Sequence, residues 1–597
     1  MSRVLKLGLL AESKFSEASA DIIVNVCESL NLRSIGLPLS VSTDRLAGIA
    51  EDSVVRSRVL GVLTAGVSLE QWGNEVGWAD HLGLRAVLCP SPSIKDGHLE
   101  VVALGHRLSR LLQAYDKPIY VRMPFVFSQD VEMEVDGWTA WKALHRLCNY
   151  HSNLHVAVEM GTTYPLPHED AMSQAAYVAL VRRYLLRWKG EPIGCVMLPT
   201  HILDTSGNLP RLVTDLLRQF MDESALIMLD TRWPIESLTP DSEARVELTQ
   251  HLAQVRRLFD MMTPLTTAEE YVFHFREVLQ TPLRPLQDNL HDAIYATFEA
   301  DTVKYDLYEA AVEQCLRDRS AAGEENHVVV VAGAGRGAIV DRVLVVVERL
   351  GLAARVVAVD KNLFVYQTLL GRQRTEARWK NVELVSTDMR HWLPDFKADI
   401  IVSELLGSLG DNEQSPECID GAQHILKANG VIIPQSYSSS VQPISSTVLW
   451  TLAGLHGRQV AYCVYPSKYH TLDDPKDLLM FSHPNPSKPD NSREVSVPFL
   501  PHLVSECHGF LGFFSCRLYG DVVMSTDPRN ATPDMCSWFP LYLPLETPLQ
   551  VTPTTPLILH FWRRVTTSNV WYEWAIQSGE IFEPIHNAGG AHMRLGL

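Results

Sequence analysis

The sequence predicts a mixed α/β protein in three parts: a closed (β/α) barrel, a nucleotide-type domain and a set of antiparallel strands. Three observations predict it. Eight short apolar runs alternate with helical segments before residue 280, a strand, glycine loop and helix begin at His327, and short alternating runs rich in proline follow Pro434. A chain of 597 residues is too long for one hydrophobic core. Its 46% hydrophobic and 20% charged residues describe ordinary globular domains.

The eight runs are Val4 to Leu10, Ile35 to Leu39, Val59 to Thr64, Ala86 to Cys89, Ile119 to Met123, Val156 to Met160, Ile193 to Leu198 and Ala225 to Leu229. Segments such as Ala103 to Leu112 separate them with helical spacing. Strands buried on both faces and alternating with helices indicate parallel sheet, and eight repeats indicate a closed barrel of TIM type, with an open doubly wound sheet as the alternative. Catalysis in such a barrel is sought just after the strands, where Arg122, Glu159 and Asp230 stand. None has a partner at a diagnostic spacing, so this part is read as structural or as a docking platform. The prolines of Gln280-Thr-Pro-Leu-Arg-Pro-Leu-Gln287 break the helical pattern. The expected division is residues 1–281 for the barrel, 282–290 for a linker and 291–433 for the second domain.

In the second domain the strand His327 to Ala332 runs into Gly333-Ala-Gly-Arg-Gly337, and a helix follows with Ile339, Val343, Val347 and Leu350 on one face. Glycines let a backbone approach a ligand closely, and the helix amino terminus offers free N–H groups. A second strand, Arg355 to Asp360, ends in a carboxylate 23 residues after the last glycine, where it can accept hydrogen bonds from ribose hydroxyls. The spacing Gly-x-Gly-x-Gly lacks the third glycine of the dinucleotide fingerprint. A third strand ends Val385-Ser-Thr-Asp-Met389, which puts Asp388 and Met389 where an adenine edge and face could lie. The fold is Rossmann-like.

After the fourth strand comes Ser403-Glu-Leu-Leu-Gly-Ser-Leu-Gly-Asp-Asn-Glu413, with Glu404 and Glu413 nine positions apart. Gly407 and Gly410 let the chain double back and aim both carboxylates at one point. Such a pair suits a planar guanidinium, which presents five donors in a fixed fork. Beyond Pro434 the alternating runs predict antiparallel strands forming a barrel or sandwich over 434–597, with a Pro-, Asp-, Lys- and Ser-rich excursion near 466–498.

A net charge of −18 argues against direct nucleic-acid binding and favours basic partners. The ten cysteines form no Cys-x-x-Cys pair, so free thiols and no metal are expected. No apolar run approaches the roughly 20 residues of a spanning helix, so no membrane association is expected. Met1 to Leu10, interrupted by Lys6, reads as a buried strand rather than a signal peptide.

Gly333 to Gly337, Thr387-Asp-Met-Arg390, Ser403 to Cys418, Ser537-Trp-Phe-Pro540 and Val570-Trp-Tyr-Glu-Trp574 together resemble the protein arginine methyltransferases, in the type II branch that makes symmetric dimethylarginine. The resemblance is strong from Tyr295 onward. It implies an amino-terminal TIM-type barrel, a class I methyltransferase domain, a carboxy-terminal antiparallel β-barrel, and S-adenosyl-L-methionine as methyl donor. It implies donor-binding roles for Tyr295, Lys304, Tyr305, Gly333, Gly335, Asp360, Asp388 and Met389, with Lys304 near the donor carboxylate and Asp360 standing where the family has Glu. Glu404 and Glu413 would be catalytic, Phe298 would set product geometry, and Ser537 and Trp538 would close the arginine pocket. Arg336 either contacts the donor or braces the glycine loop. The implied substrates are arginine-containing basic proteins, such as histones and Gly-Arg-rich RNA-binding or spliceosomal proteins, in cytoplasm and nucleus. The implied assembly is a homodimer or higher oligomer, with a WD-repeat partner on the barrel. A scaffold without activity and a nicotinamide oxidoreductase are the alternatives.

Overall fold

The computed structural model describes residues 4–10, 20–39, 57–92, 94–95, 98–127, 135–161, 185–203, 211–222, 225–231, 233–487 and 490–597. The chain divides into two compact units, one of residues 1–264, 446–451 and 468–470, the other of residues 265–445, 452–467 and 471–597.

In the first unit the strands are β1 (Lys6–Leu10), β2 (Ser34–Pro38), β3 (Val59–Val62), β4 (Ala86–Cys89), β5 (Ile119–Pro124), β6 (Leu154–Glu159), β7 (Ile193–Pro199) and β8 (Leu226–Asp230). Each pairs in parallel with the next, and β8 closes on β1 through pairs such as Leu7 with Ile227. The side-chain period of two explains why the runs are apolar throughout. Leu10, Leu88, Ala157, Cys195 and Met228 form one buried cluster, while their neighbours Leu9, Val87, Val158, Val196 and Ile227 belong to another that includes the surrounding helices. The helices include α1 (Ala20–Ser29), α2 (Leu69–His81), α3 (Val101–Ala114), α4 (Gly137–Leu147), α5 (Arg211–Asp222) and α6 (Glu243–Asp260).

Arg122, Glu159 and Asp230, which have no partner at a diagnostic spacing in the sequence, form an ion triad in the fold: Arg122 Nη2 lies 3.0 Å from Glu159 Oε2 and 2.9 Å from Asp230 Oδ2. Strand register creates the pairing, since β6 lies beside β5 and all three residues stand at carboxyl ends.

The second unit holds a parallel sheet of β9 (His327–Ala332), β10 (Ala354–Asp360), β11 (Glu383–Ser386), β12 (Ala398–Ser403) and β13 (Leu426–Ile433), in the order β11-β10-β9-β12-β13. The order reverses beside β9, so a crevice opens at the carboxyl ends of β9, β10 and β12. The helices α7 (Asp292–Glu299), α8 (Thr302–Ala321), α9 (Ala338–Leu350), α10 (Leu363–Thr375) and α11 (Ser415–Ala422) flank or follow these strands. The antiparallel strands expected after Pro434 form two sheets, of seven and five strands. Among them are β14 (Ser436–Ser445), β15 (Lys476–Ser482), β16 (Arg493–Phe499), β17 (Ser505–Tyr519), β18 (Leu541–Val551), β19 (Leu557–Val565) and β20 (Asn569–Ser578).

Two boundaries differ from the expected ones. The main segment of the first compact unit ends at Pro264, and the segment 282–290 belongs to the second unit, where Lys361 Nζ donates to the Leu286 carbonyl at 2.6 Å and Asn362 Nδ2 to that of Leu290 at 3.3 Å. The excursion near 466–498, of which 488–489 lie outside the described residues, contains β15 and β16. Leu478, Leu479, Phe481 and Val497 are buried there, which outweighs the proline-rich composition. All ten cysteines are free. No described helix is long and apolar enough to cross a membrane.

Candidate active site

A cavity of ≈ 510 Å³ opens at the carboxyl end of the parallel sheet. The structure brings every site residue selected from the sequence onto its wall: Tyr295, Gly333, Gly335, Asp360, Asp388 and Met389 toward the glycine loop, and Phe298, Lys304, Tyr305, Glu404, Glu413, Ser537 and Trp538 toward the glutamate loop.

The glycine loop needs its glycines. Gly333 and Gly337 sit at φ +75° and +96°, left-handed conformations that L side chains avoid. A Cβ on Gly337 would also lie 2.3 Å from Trp379 Cη2. Asp360, at the end of β10, accepts hydrogen bonds from Gly335 N at 2.8 Å and Asn362 N at 2.8 Å. Burial raises its pKa, and these N–H bonds oppose the rise. Tyr295 lies over the loop, its hydroxyl 3.4 Å from Asn362 Nδ2, and burial followed by the Asp360 charge pushes its pKa up to about 12.

The glutamate loop folds on itself. Gly407 and Gly410 exchange backbone bonds of 3.2 and 2.8 Å, and Leu409 N donates to Asn412 Oδ1 at 2.6 Å. Gly407 leaves no room for a side chain, since a Cβ there would meet the Asn412 amide at 2.5 Å. Glu404 Oε1 accepts from Leu406 N at 3.3 Å, and its Oε2 faces Lys304 Nζ at 3.5 Å. The pKa of Glu413 is raised well above the carboxylate range, by burial first and by the Glu404 charge second, with Lys304 opposing. The two carboxylates therefore lie close enough to repel each other, with Lys304 as the cation that opposes the repulsion.

Lys304 lines the cavity and is paired within it. Its ammonium, 1% exposed, pairs with Glu404 and lies 5.1, 4.8 and 4.9 Å from the rings of Phe298, Tyr305 and Trp538. A buried cation takes the nearest carboxylate and the negative faces of nearby rings. Trp538 is fixed by its own bond from Nε1 to the Leu406 carbonyl, 2.7 Å. Ser537 Oγ is buried with no hydrogen-bond partner among the described residues.

Family models match three successive stretches: one described as the PRMT5 TIM barrel domain over residues 63–261, one as the PRMT5 arginine-N-methyltransferase over 266–433 and one as the PRMT5 oligomerisation domain over 436–595. The protein arginine N-methyltransferase 5 of Oryza sativa subsp. japonica is 34% identical over 587 residues, covering 92% of this chain and 86% of its own. This chain belongs to the PRMT5 family. The Xenopus laevis member is 33% identical, covering 88% of this chain and 84% of its own. Schizosaccharomyces pombe protein arginine N-methyltransferase skb1 is 31% identical, with 88% and 82% covered.

Within this family member, Arg336 bonds Asp292 Oδ1 at 3.0 Å and Glu299 Oε2 at 2.8 Å, which ties the glycine loop to both ends of α7. Asp388 already holds Arg390 through four contacts of 2.7 to 3.2 Å, and although burial alone would raise its pKa, Arg390 lowers it. Sequence reasoning missed Asp301, which caps α8 and also holds the segment before Trp538, and Arg563, which holds Asp411 in the glutamate loop. The cap is legible as Asp before a helix. The other contacts join residues more than 150 positions apart and leave no local pattern.

Proposed function

We propose that this chain transfers methyl groups from S-adenosyl-L-methionine to arginine guanidinium nitrogens of proteins, giving monomethyl and symmetric dimethylarginine. The observation that carries the reading is the pair Glu404 and Glu413, close enough to interact, in the same cavity as a glycine loop and a strand-end carboxylate.

The residues present fit the donor. Gly333 and Gly335 leave bare backbone at the cavity wall, Asp360 faces it from the end of β10, and ≈ 510 Å³ falls within the ~300–1,000 Å³ usual for cofactor sites. Tyr295, Tyr305, Asp388 and Met389 would complete the binding surface. The donor supplies an already activated sulfonium methyl, so the protein's work is positioning and exclusion of water. Glu404 and Glu413 would grip two edges of the guanidinium, the cation favouring the ionised form of both, and turn one nitrogen toward the donor end. Phe298, Tyr305 and Trp538 wall the cation from solvent. Glu413, whose protonated form burial favours, is the group suited to hold the proton that the guanidinium must release.

Ionised glutamates are needed to bind the acceptor, so kcat/KM for peptide should rise with pH through the raised pKa of Glu413. Its acid limb is therefore expected above the ordinary carboxylate range, and Lys304→Met should move it higher still by removing the opposing charge. A pH profile with its acid limb at ordinary carboxylate values contradicts this.

The ring of Phe298 faces the Lys304 ammonium and stacks edge-on to Tyr295 at 6.3 Å, so it belongs to the cavity wall. A rigid ring restricts which nitrogen reaches the methyl, and a methionine relaxes that restriction. Radiolabelled donor and a Gly-Arg-rich peptide should give monomethyl and symmetric product with the wild type, and some asymmetric product with Phe298→Met. Chromatography of the hydrolysed peptide decides. Asymmetric product from the wild type overturns the type II reading, and no methylated arginine overturns the activity.

Acidic charge favours basic substrates such as histones and Gly-Arg-rich proteins of cytoplasm and nucleus. The family's oligomerisation domain over 436–595 supports a homo-oligomer. The barrel's mouth residues Arg122, Glu159 and Asp230 are engaged with one another in one triad, which supports a docking rather than a chemical role, and the partner that the family resemblance implies for it is a WD-repeat protein.

A further inference from the structure

We infer that Asp301 is a positioning residue that ties the segment closing the arginine pocket to the start of α8. The inference rests on the proposed function for the meaning of that pocket. Asp301 is 2% exposed and uses its two oxygens for two different purposes. Oδ1 accepts from Lys304 N at 3.3 Å, the ordinary cap of a helix amino terminus. Oδ2 accepts from two successive amides, Cys536 N at 2.9 Å and Ser537 N at 2.8 Å. A cap needs only the first oxygen.

The second oxygen fixes the backbone immediately before Trp538. From there the chain of contacts continues: Trp538 Nε1 holds the Leu406 carbonyl, and Leu406 N holds Glu404. One carboxylate therefore registers α8, which carries Lys304 and Tyr305, against Ser537 and Trp538 and, through them, against the glutamate loop. Two half-buried amides converge on this single oxygen, and removing it costs both their protein partner, so the segment shifts or turns to water to satisfy them. Small displacements of groups that orient a reacting atom can cost ~100-fold in rate.

Asp301→Ser separates the two roles, because serine caps a helix about as well as aspartate but has no second oxygen. The expected result is donor affinity close to wild type by calorimetry, a raised KM for a Gly-Arg-rich peptide and kcat/KM reduced by ~10- to 100-fold. Hydrogen exchange should quicken at the Cys536 and Ser537 amides while the first turn of α8 stays protected. Asp301→Asn should also lose peptide affinity, since its amide leaves a donor facing a donor on one side or the other. Unchanged exchange at Cys536 and Ser537, or wild-type kcat/KM in Asp301→Ser, overturns the inference. Donor affinity lost in parallel with peptide affinity also overturns it, because the residue would then act through the cap alone. A wild type that methylates no arginine fails the function instead, and the exchange measurement still judges the tether.

Discussion

Glu404→Gln and Glu413→Gln each abolish methylation while leaving donor affinity close to wild type, and Glu413→Gln stabilises the folded protein at neutral pH. The cavity separates the two tasks. Asp360 bonds the glycine loop in one part of the cavity, and in another Glu404 pairs with Lys304, whose ammonium faces three aromatic rings, with Glu413 close enough to feel both charges. A guanidinium gripped by one carboxylate instead of two loses charge-assisted bonds in a site shielded from water. Breaking such pairs costs ~3–5 kcal/mol, at least ~100-fold in rate. The stability change has the opposite sign. Burial and Glu404 raise the folded pKa of Glu413 above the unfolded value of about 4.3. The folded state then holds its proton to higher pH than the unfolded chain, so stability is lost as pH rises from the unfolded pKa through the folded one. A neutral amide escapes that loss. Thermal midpoints across pH should show wild type and Glu413→Gln converging in acid and diverging toward neutrality, with the variant higher. Calorimetry showing that either substitution destroys donor binding would overturn the division of labour.

The same residues show why part of this protein was legible in its sequence. Barrel strands are buried on both faces, so Leu7 and Leu9 pack outward while Leu10 packs inward, and the whole run is apolar whichever way each side chain points. The glycine loop, Asp360 and the paired glutamates were legible because each stands at a strand end, at a spacing fixed by strand, loop and helix lengths. Long-range pairings carry no such spacing. The Arg122 triad spans 108 positions between Arg122 and Asp230, and the Asp301 tether spans 236 to Ser537. The ammonium of Lys304 meets Glu404 a hundred positions away, so only the folded chain shows which charge it serves. Composition misled at 466–498, where prolines and charges surround alternating apolar residues that build β15 and β16.

Arg563→Leu should cost ~3–5 kcal/mol of stability and suppress methylation, although Arg563 is bonded to neither catalytic glutamate. Arg563, on β19, is 0% exposed and directs its guanidinium mainly at the glutamate loop and the helix after it. Its Nε donates to Asp411 Oδ2 at 2.5 Å, and its two terminal nitrogens fork onto Glu417 at 2.7 and 2.8 Å. Nη1 also reaches the Asn491 carbonyl at 3.0 Å, and Tyr572 donates its hydroxyl to Asp411 at 2.7 Å. Asp411 lies between Glu404 and Glu413, and Glu417 lies in α11, so one cation from the antiparallel sheet holds both flanks of Glu413. Burial raises the pKa of Asp411 even with Arg563 present, and without it buried Asp411 and half-buried Glu417 both lose their cation, Asp411 keeping only the Tyr572 hydroxyl. They must then take up protons or move toward water, and either outcome disturbs the carboxylate aimed at the substrate. Protonation relieves the repulsion, so the penalty should be smallest in acid and should grow as pH rises through the raised pKa of Asp411. Arg563→Lys should recover only part of the loss, because a point charge cannot serve the Glu417 fork and Asp411 together. Adding Asp411→Asn and Glu417→Gln to Arg563→Leu should restore stability by removing the unpaired charges, while activity stays low. Thermal midpoints of these variants against pH, read beside turnover on a Gly-Arg-rich peptide, test the account; an Arg563→Leu protein with the wild-type midpoint at every pH and full turnover would refute it.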